Sequence, residues 1–297
     1  MANHRAGPGL RLWDQAMTVT RLTTRRVDKV WGRHELWPGF DDPAPGEDPV
    51  GEIWFEDTRP DRTNADPDLL VKYLFTAEKL SVQVHPDDAM AQAQGRARGK
   101  DEAWIVLAAE PDATIGIGLT RTLDTDELRA AALDGSIERL LDWRPVTGGD
   151  VFYSPSGTIH AIGAGVTLIE VQQNSDTTYR LYDYGRPRAL HLEESIAAAH
   201  AVPYVAPFAP YEIAPGRTQL TGGPAFVLER WTGARSASID ADGPVWIVPI
   251  AGAGDADGTP IAPGGVWLAE GRTPMTLRED SDVLIAYSGS QAITLDG

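Results

Sequence analysis

The sequence predicts a mainly β protein of jelly-roll or sandwich type, and three observations carry that expectation. Short runs rich in Val, Ile, Thr, Tyr and Trp recur along the chain, among them EIWFED, LLVKYLFT, EAWIVLAA and VTLIEVQQ. The 30 glycines and 22 prolines supply frequent turns between them. Only residues 122–143 read as a helical insertion, amid many short antiparallel strands. At 297 residues the chain is long for one small domain, so two units are expected.

In chain order, residues 1–20 read as a leader. They lack the apolar core of a signal peptide, and Met17 is an alternative beginning of the folded part. RLTTRRVDKVWG, EIWFED, LLVKYLFT and KLSVQVH then read as strands, broken by the Pro/Gly/Asp loop of residues 40–52. PDDAMAQAQGRARGK reads as a short helix closed by a glycine-rich turn, followed by the strands EAWIVLAA and TIGIGLT. In the insertion at 122–143, Asp124 stands three residues before Glu127, the spacing of a capping box, and an Ala/Leu/Arg-rich stretch follows. DVFYSP, TIHAI, VTLIEVQQ and TYRLYDY are strand-like, and HLEESIAAAH is helical. A Pro-rich hinge at 201–216 leads into short strands that run to Gly297. The expected division is a leader over 1–20, a first β domain over 21–205 and a second β domain over 206–297.

Composition excludes several classes. A net charge of −17 is the reverse of a nucleic-acid footprint and disfavours an anionic membrane surface. A few local arginines can still hold one small anion. With no cysteine there is no disulfide, thiolate nucleophile or Cys-ligated metal, which is compatible with a reducing compartment. No apolar run reaches the length of a membrane span.

The histidines point to chemistry. In LSVQVHPDD, Ser81, Gln83 and His85 alternate with apolar residues, so a strand presents hydroxyl, amide and imidazole on one face. His160 ends the run GDVFYSPSGTIH, where Gly149, Pro155 and Gly157 make a tight turn before a strand that begins at the imidazole. Glu102, in GKDEAW, adds a carboxylate. Two imidazoles, a carboxylate and an amide suit Zn²⁺ with an open position. Of the others, His4 falls in the leader, His34 reads as structural, and His191 and His200 bracket a helix as surface groups. Trp31, Trp54, Trp104 and Tyr182 fit either a sugar cleft or core packing.

The spacing from Gly149 to His160 resembles the second half of the cupin metal motif, although the Asn usual four residues on is Ala164 here. More specifically, VWGRHEL, VGEIWF, LSVQVHPDD, GKDEAW, SPSGTIHAI and VQQNSDTTYRLYDYGR resemble, in order and spacing, the type I phosphomannose isomerase family, which converts mannose 6-phosphate. The resemblance covers roughly residues 27–199 and implies a compact, cytoplasmic, cupin-type jelly roll (a double-stranded β-helix) with a second jelly-roll-like unit that carries no metal ligands.

The resemblance also implies the site. Gln83, His85, Glu102 and His160 would ligate one Zn²⁺; Arg180, Lys100 and Glu170 would act in catalysis; Ser81 and Arg186 would contact the phosphate. Arg186 stands where some members of the family carry a lysine. The implied reaction interconverts mannose 6-phosphate and fructose 6-phosphate by proton transfer between C1 and C2 through an enediol-like intermediate. Lys100, Glu170 and a metal-activated water are the alternatives for the base. A sugar phosphate is the only partner implied, with no nucleic acid or membrane, and the expected state is a monomer or weak homo-oligomer. Two other functions on such a scaffold are a non-catalytic sugar-phosphate-binding module and a metal-dependent oxidoreductase.

Overall fold

The computed structural model describes residues 18–60 and 67–296. The leader expected over 1–20 lies outside the described residues up to position 17, and its last three positions belong to the strand Thr18–Arg21.

Two sheets make the first jelly roll. One has six strands, ordered Thr23–Arg33, Val50–Glu56, Leu69–Phe75, Val166–Gln173, Glu102–Ala109 and Val151–Ser154. The other has five, ordered Tyr179–Tyr182, Val82–Val84, His160–Ile162, Thr114–Leu119 and Leu141–Pro145. Strict alternation in the six-stranded sheet decides what each face does. Ile53, Phe55, Val71, Tyr73, Ile105, Ile169 and Val171 point to one side and are all buried. Glu52, Trp54, Lys72, Glu170, Glu102 and Trp104 stand at the intervening positions and face the five-stranded sheet.

The apolar face packs on the second unit. Phe226, Leu228, Trp246, Val248, Leu284 and Ala286 complete the same core from a seven-stranded sheet. That sheet is buried on both sides. Its other face, with Val227, Trp231, Val245, Ile247, Val283 and Ile285, meets Ile239, Met275 and Leu277 of a last five-stranded sheet. The four sheets therefore stack in sequence, and the second pair forms the C-terminal jelly roll. Thr18–Arg21 pairs with Trp267–Glu270, so the first described strand lies in the C-terminal unit's sheet.

The capping box forms as expected: Asp124 accepts from the Glu127 amide, and the Glu127 side chain accepts from the Asp124 amide. The insertion is shorter than the expected 122–143, because its last residues pair instead. Helices span Thr125–Asp134 and Ile137–Leu140, with Gly135 left-handed at the break. Leu141–Pro145 then hydrogen-bonds to Thr114–Leu119, and the tertiary ladder outweighs local helix propensity. The helices Thr125–Asp134 and Leu192–Ala198 cover the outer face of the five-stranded sheet through Leu128, Ala131, Ala132, Val82, Ala161 and Leu181. No helix among the described residues is long and apolar enough to cross a membrane.

Candidate metal centre

The three predicted imidazole and carboxylate residues converge. One ligand atom each from His85, Glu102 and His160 lies within 4.8 Å of the others, and all three side chains are buried. His85 Nε2 is 3.3 Å from Glu102 Oε1, and His160 Nε2 is 3.6 Å from Glu102 Oε2. Gln83 stands directly opposite His160 in the antiparallel ladder.

Local structure brings these segments together. Gly157 donates its amide to the His85 carbonyl, tying the turn before His160 to the end of the strand carrying Gln83. At φ +85° Gly157 is left-handed, and a Cβ there would press on the His200 ring. Gly99 is required for a different reason. A Cβ would lie 2.6 Å from the Pro86 carbonyl oxygen, so only glycine lets the segment leading to Lys100 and Glu102 run beside His85. Asp101 locks that segment: its carboxylate accepts from Tyr153 Oη at 2.5 Å and from the Ser156 amide at 2.8 Å.

The imidazoles are prepared as ligands. His85 Nδ1 is 2.9 Å from the Thr177 carbonyl, and His160 Nδ1 is 3.0 Å from the Thr158 carbonyl. A carbonyl only accepts, so each Nδ1 carries the proton and each Nε2 offers a lone pair to the cluster. Among the described residues neither Nε2 has a hydrogen-bond partner, nor has Glu102 Oε2. Burial, reinforced by the Lys100 cation, pushes His85 down to about 4, and burial lowers His160 as well. Burial would raise the Glu102 carboxyl, but the Lys100 cation beside it outweighs burial and holds the group well below the usual range. Neutral imidazoles, an ionised carboxylate and orphaned buried lone pairs are the state a divalent cation needs. Two imidazoles and a carboxylate form a donor set that could hold a divalent metal ion.

The cluster borders a cavity of about 340 Å³. Ser81, Gln83, Lys100, His160, Glu170 and Arg180 line it. So do Lys29, Lys72 and Arg188, with Glu52 and Asp176. Five basic side chains thus face three carboxylates on the cavity wall, in a chain of net charge −17. Three of the chain's four lysines are among them.

No family model matches the chain. Over 194 residues, 61% of this chain, it is 39% identical to "Mannose-6-phosphate isomerase" of Streptococcus mutans and spans 60% of that protein. Over 135 residues, 43% of this chain, it is 46% identical to "Mannose-6-phosphate isomerase ManA" of Bacillus subtilis and spans 42% of it. The crystal structure of the mannose 6-phosphate isomerase from Bacillus subtilis superposes with a TM-score of 0.78 at 27% identity, covering 90% of this chain and 98% of that one. This chain is similar to mannose-6-phosphate isomerases in both sequence and fold.

Beside those isomerase relatives, the residues expected for catalysis stand as follows. Glu170 lines the cavity wall. It is buried, with Lys72 Nζ 3.2 Å from Oε1 and Trp104 Nε1 donating to Oε2 at 3.1 Å. Lys100 Nζ is 2.7 Å from Glu102 Oε1, and that pairing outweighs burial and raises the ammonium. Arg180 faces Gln83 in the ladder, and its Nη1 donates to the Ala189 carbonyl. His191, expected as a surface group, instead clamps that backbone: Nδ1 accepts the Arg180 amide at 3.1 Å, and the His191 amide donates to the Arg180 carbonyl at 2.8 Å.

Arg186, expected at the phosphate, is held at a different place. It does not line the cavity; its Nη2 donates to the Lys79 carbonyl at 2.6 Å and lies 3.5 Å from Glu78. Arg188, two residues on, lines the cavity in its place. Sequence reasoning also passed over Lys72 and Glu52. A signal existed, since Lys72 is the lone charge in the apolar strand LLVKYLF, where only a paired ammonium is tolerated. Trp31 and Trp54 line the cavity, whereas Trp104 is fully buried beside His160 with ring centroids 5.0 Å apart.

Proposed function

We propose that this chain is a zinc-dependent aldose–ketose isomerase that interconverts mannose 6-phosphate and fructose 6-phosphate in the cytoplasm. The observation that carries this reading is the set of orphaned lone pairs on His85, Glu102 and His160 at the wall of a cation-lined cavity. The similarity to mannose-6-phosphate isomerases supports the choice of reaction.

Gln83, His85, Glu102 and His160 would hold the Zn²⁺, the amide of Gln83 completing a set of two nitrogens and two oxygens. When bound, the ion supplies Lewis acidity toward the sugar's carbonyl and hydroxyl oxygens. The chain's own residues do the rest. Arg180 remains protonated and contributes fixed positive charge where negative charge develops on the C1 and C2 oxygens. Lys100 and Glu170 are the cavity groups that carry a proton between C2 and C1. Ser81, on the strand face shared with Gln83, offers its hydroxyl to the phosphate end of the sugar. Trp31 and Trp54 give the cavity apolar walls that exclude water from the reacting carbons.

The test is metal analysis of the purified protein, with a coupled assay for fructose 6-phosphate formed from mannose 6-phosphate. Activity should vanish on chelation and return with Zn²⁺. Saturable binding of the sugar phosphate without product would instead make the chain a binding module. Oxygen consumption with Fe²⁺ would make it an oxidoreductase.

A further inference from the structure

The cations of the cavity are not equivalent. Lys29 lies 3.4 Å from Glu52, Lys72 3.2 Å from Glu170 and Lys100 2.7 Å from Glu102. Each lysine is matched to a carboxylate of its own. The arginines are not. Arg180, Arg186 and Arg188 surround one buried carboxylate, Asp183. Arg188 makes a fork on it, Nε to Oδ2 at 2.6 Å and Nη2 to Oδ1 at 2.7 Å. Arg186 Nη1 is 3.3 Å from Oδ1, and Arg180 Nε is 4.0 Å from Oδ2. Arg186 is also paired with Glu78, so Arg180 and Arg188 are the two guanidiniums that line the cavity beside the single carboxylate of Asp183, which leaves an excess of positive charge there. Burial and the neighbouring Arg188 cation both lower Arg180, so the two guanidiniums repel one another across the space they line.

Their remaining donors differ. Arg186 is used up on the Lys79 carbonyl, Glu78 and Asp183, outside the cavity. Arg188 binds Asp183 through one edge of its fork, Nε and Nη2, which leaves Nη1 with no acceptor among the described residues on a group that lines the cavity. A dianion set between Arg188 and Arg180 would relieve their repulsion and take up the free donors by charge-assisted hydrogen bonds.

We propose that Arg188 is the residue that selects for the phosphate of the sugar substrate, and that Asp183 is its positioning residue. This rests on the isomerase reading above, and its test separates the two. Steady-state kinetics on mannose 6-phosphate should show R188A raising KM roughly 10- to 100-fold with little change in kcat. Competitive inhibition by inorganic phosphate should weaken in parallel, and kcat/KM on unphosphorylated mannose should not change. R188K keeps the charge without the fork and should recover part of the affinity. D183N should reproduce the KM effect of R188A while the protein keeps its metal.

Phosphate binding measured by calorimetry on the wild type and R188A gives the same comparison without turnover. A wild type that binds phosphate through Arg188 but does not isomerise would refute the isomerase reading alone. Unchanged KM and phosphate affinity in R188A and R188K, or a loss confined to R186A, would overturn the assignment of Arg188.

Discussion

The ammonium nitrogen of Lys100 lies 2.7 Å from Oε1 of Glu102, and both side chains are buried. The other carboxylate oxygen has no donor and lies toward His160. Glu102 thus holds its charge against burial through Lys100 and keeps one oxygen free for a cation. Glu102→Gln removes the charge and keeps the shape. Metal content should fall from stoichiometric to a small fraction. The metal-free variant should also lose about 3 kcal/mol against metal-free wild type, because Lys100 is left buried without its partner. Elemental analysis and chemical denaturation check both, and full metal retention would contradict the ligand assignment.

Arg180 is positioned by backbone as much as by side chain, through His191 and the Ala189 carbonyl. Its guanidinium is no part of the ligand cluster. Arg180→Ala should therefore lower kcat by a factor of about 100 while metal stays bound. A variant with normal turnover would remove the arginine from the mechanism.

His85 sets a pH limit on the metal-free protein. The folded state holds its imidazole near pKa 4, whereas an unfolded histidine takes a proton below about 6.5. The unfolded state therefore binds the extra proton between those values, and stability falls as pH drops through that window. From pH 7.5 to 5.0 the chelated protein should lose about 2 kcal/mol from this group alone, with His160 adding in the same direction. Denaturant titrations at the two pH values measure it, and a flat profile would mean that the imidazoles are not buried neutral.

Trp246 lies in the core shared by the six- and seven-stranded sheets and has no exposed surface. Trp246→Ala should cost about 3–5 kcal/mol. Because the second jelly roll covers the rear of the sheet that carries Glu102 and Glu170, unfolding should remain a single transition that also releases metal. A fragment of residues 1–205 should be insoluble for the same reason. A soluble, active fragment would show that the C-terminal unit is dispensable.

Much of the site was legible because strand alternation is local. Ser81, Gln83 and His85 alternate in LSVQVH, and the glycines around Pro155 mark the turn that delivers His160. The capping box at Asp124 was readable for the same reason. What escaped was set by long-range pairing. Nothing near Leu141 announces that it joins a ladder with Leu119 rather than extending a helix. The choice between Arg186 and Arg188 depends on how the turn around Pro187 folds back on Asp183, which is decided by that carboxylate and the Lys79 carbonyl. Glu52 reads as an ordinary strand charge until the fold sets it beside Lys29 on the cavity wall.

Thr18–Arg21 sits against Trp267–Glu270, some 250 residues later in the chain. During synthesis the strand Thr18–Arg21 has no sheet partner until Trp267–Glu270 has left the ribosome. The apolar rear of the six-stranded sheet likewise waits for the second half of the chain, which supplies its covering strands. Folding of the first unit is thereby tied to synthesis of the second, and a chain stopped before those strands would display an uncovered greasy sheet for chaperones and proteases to find.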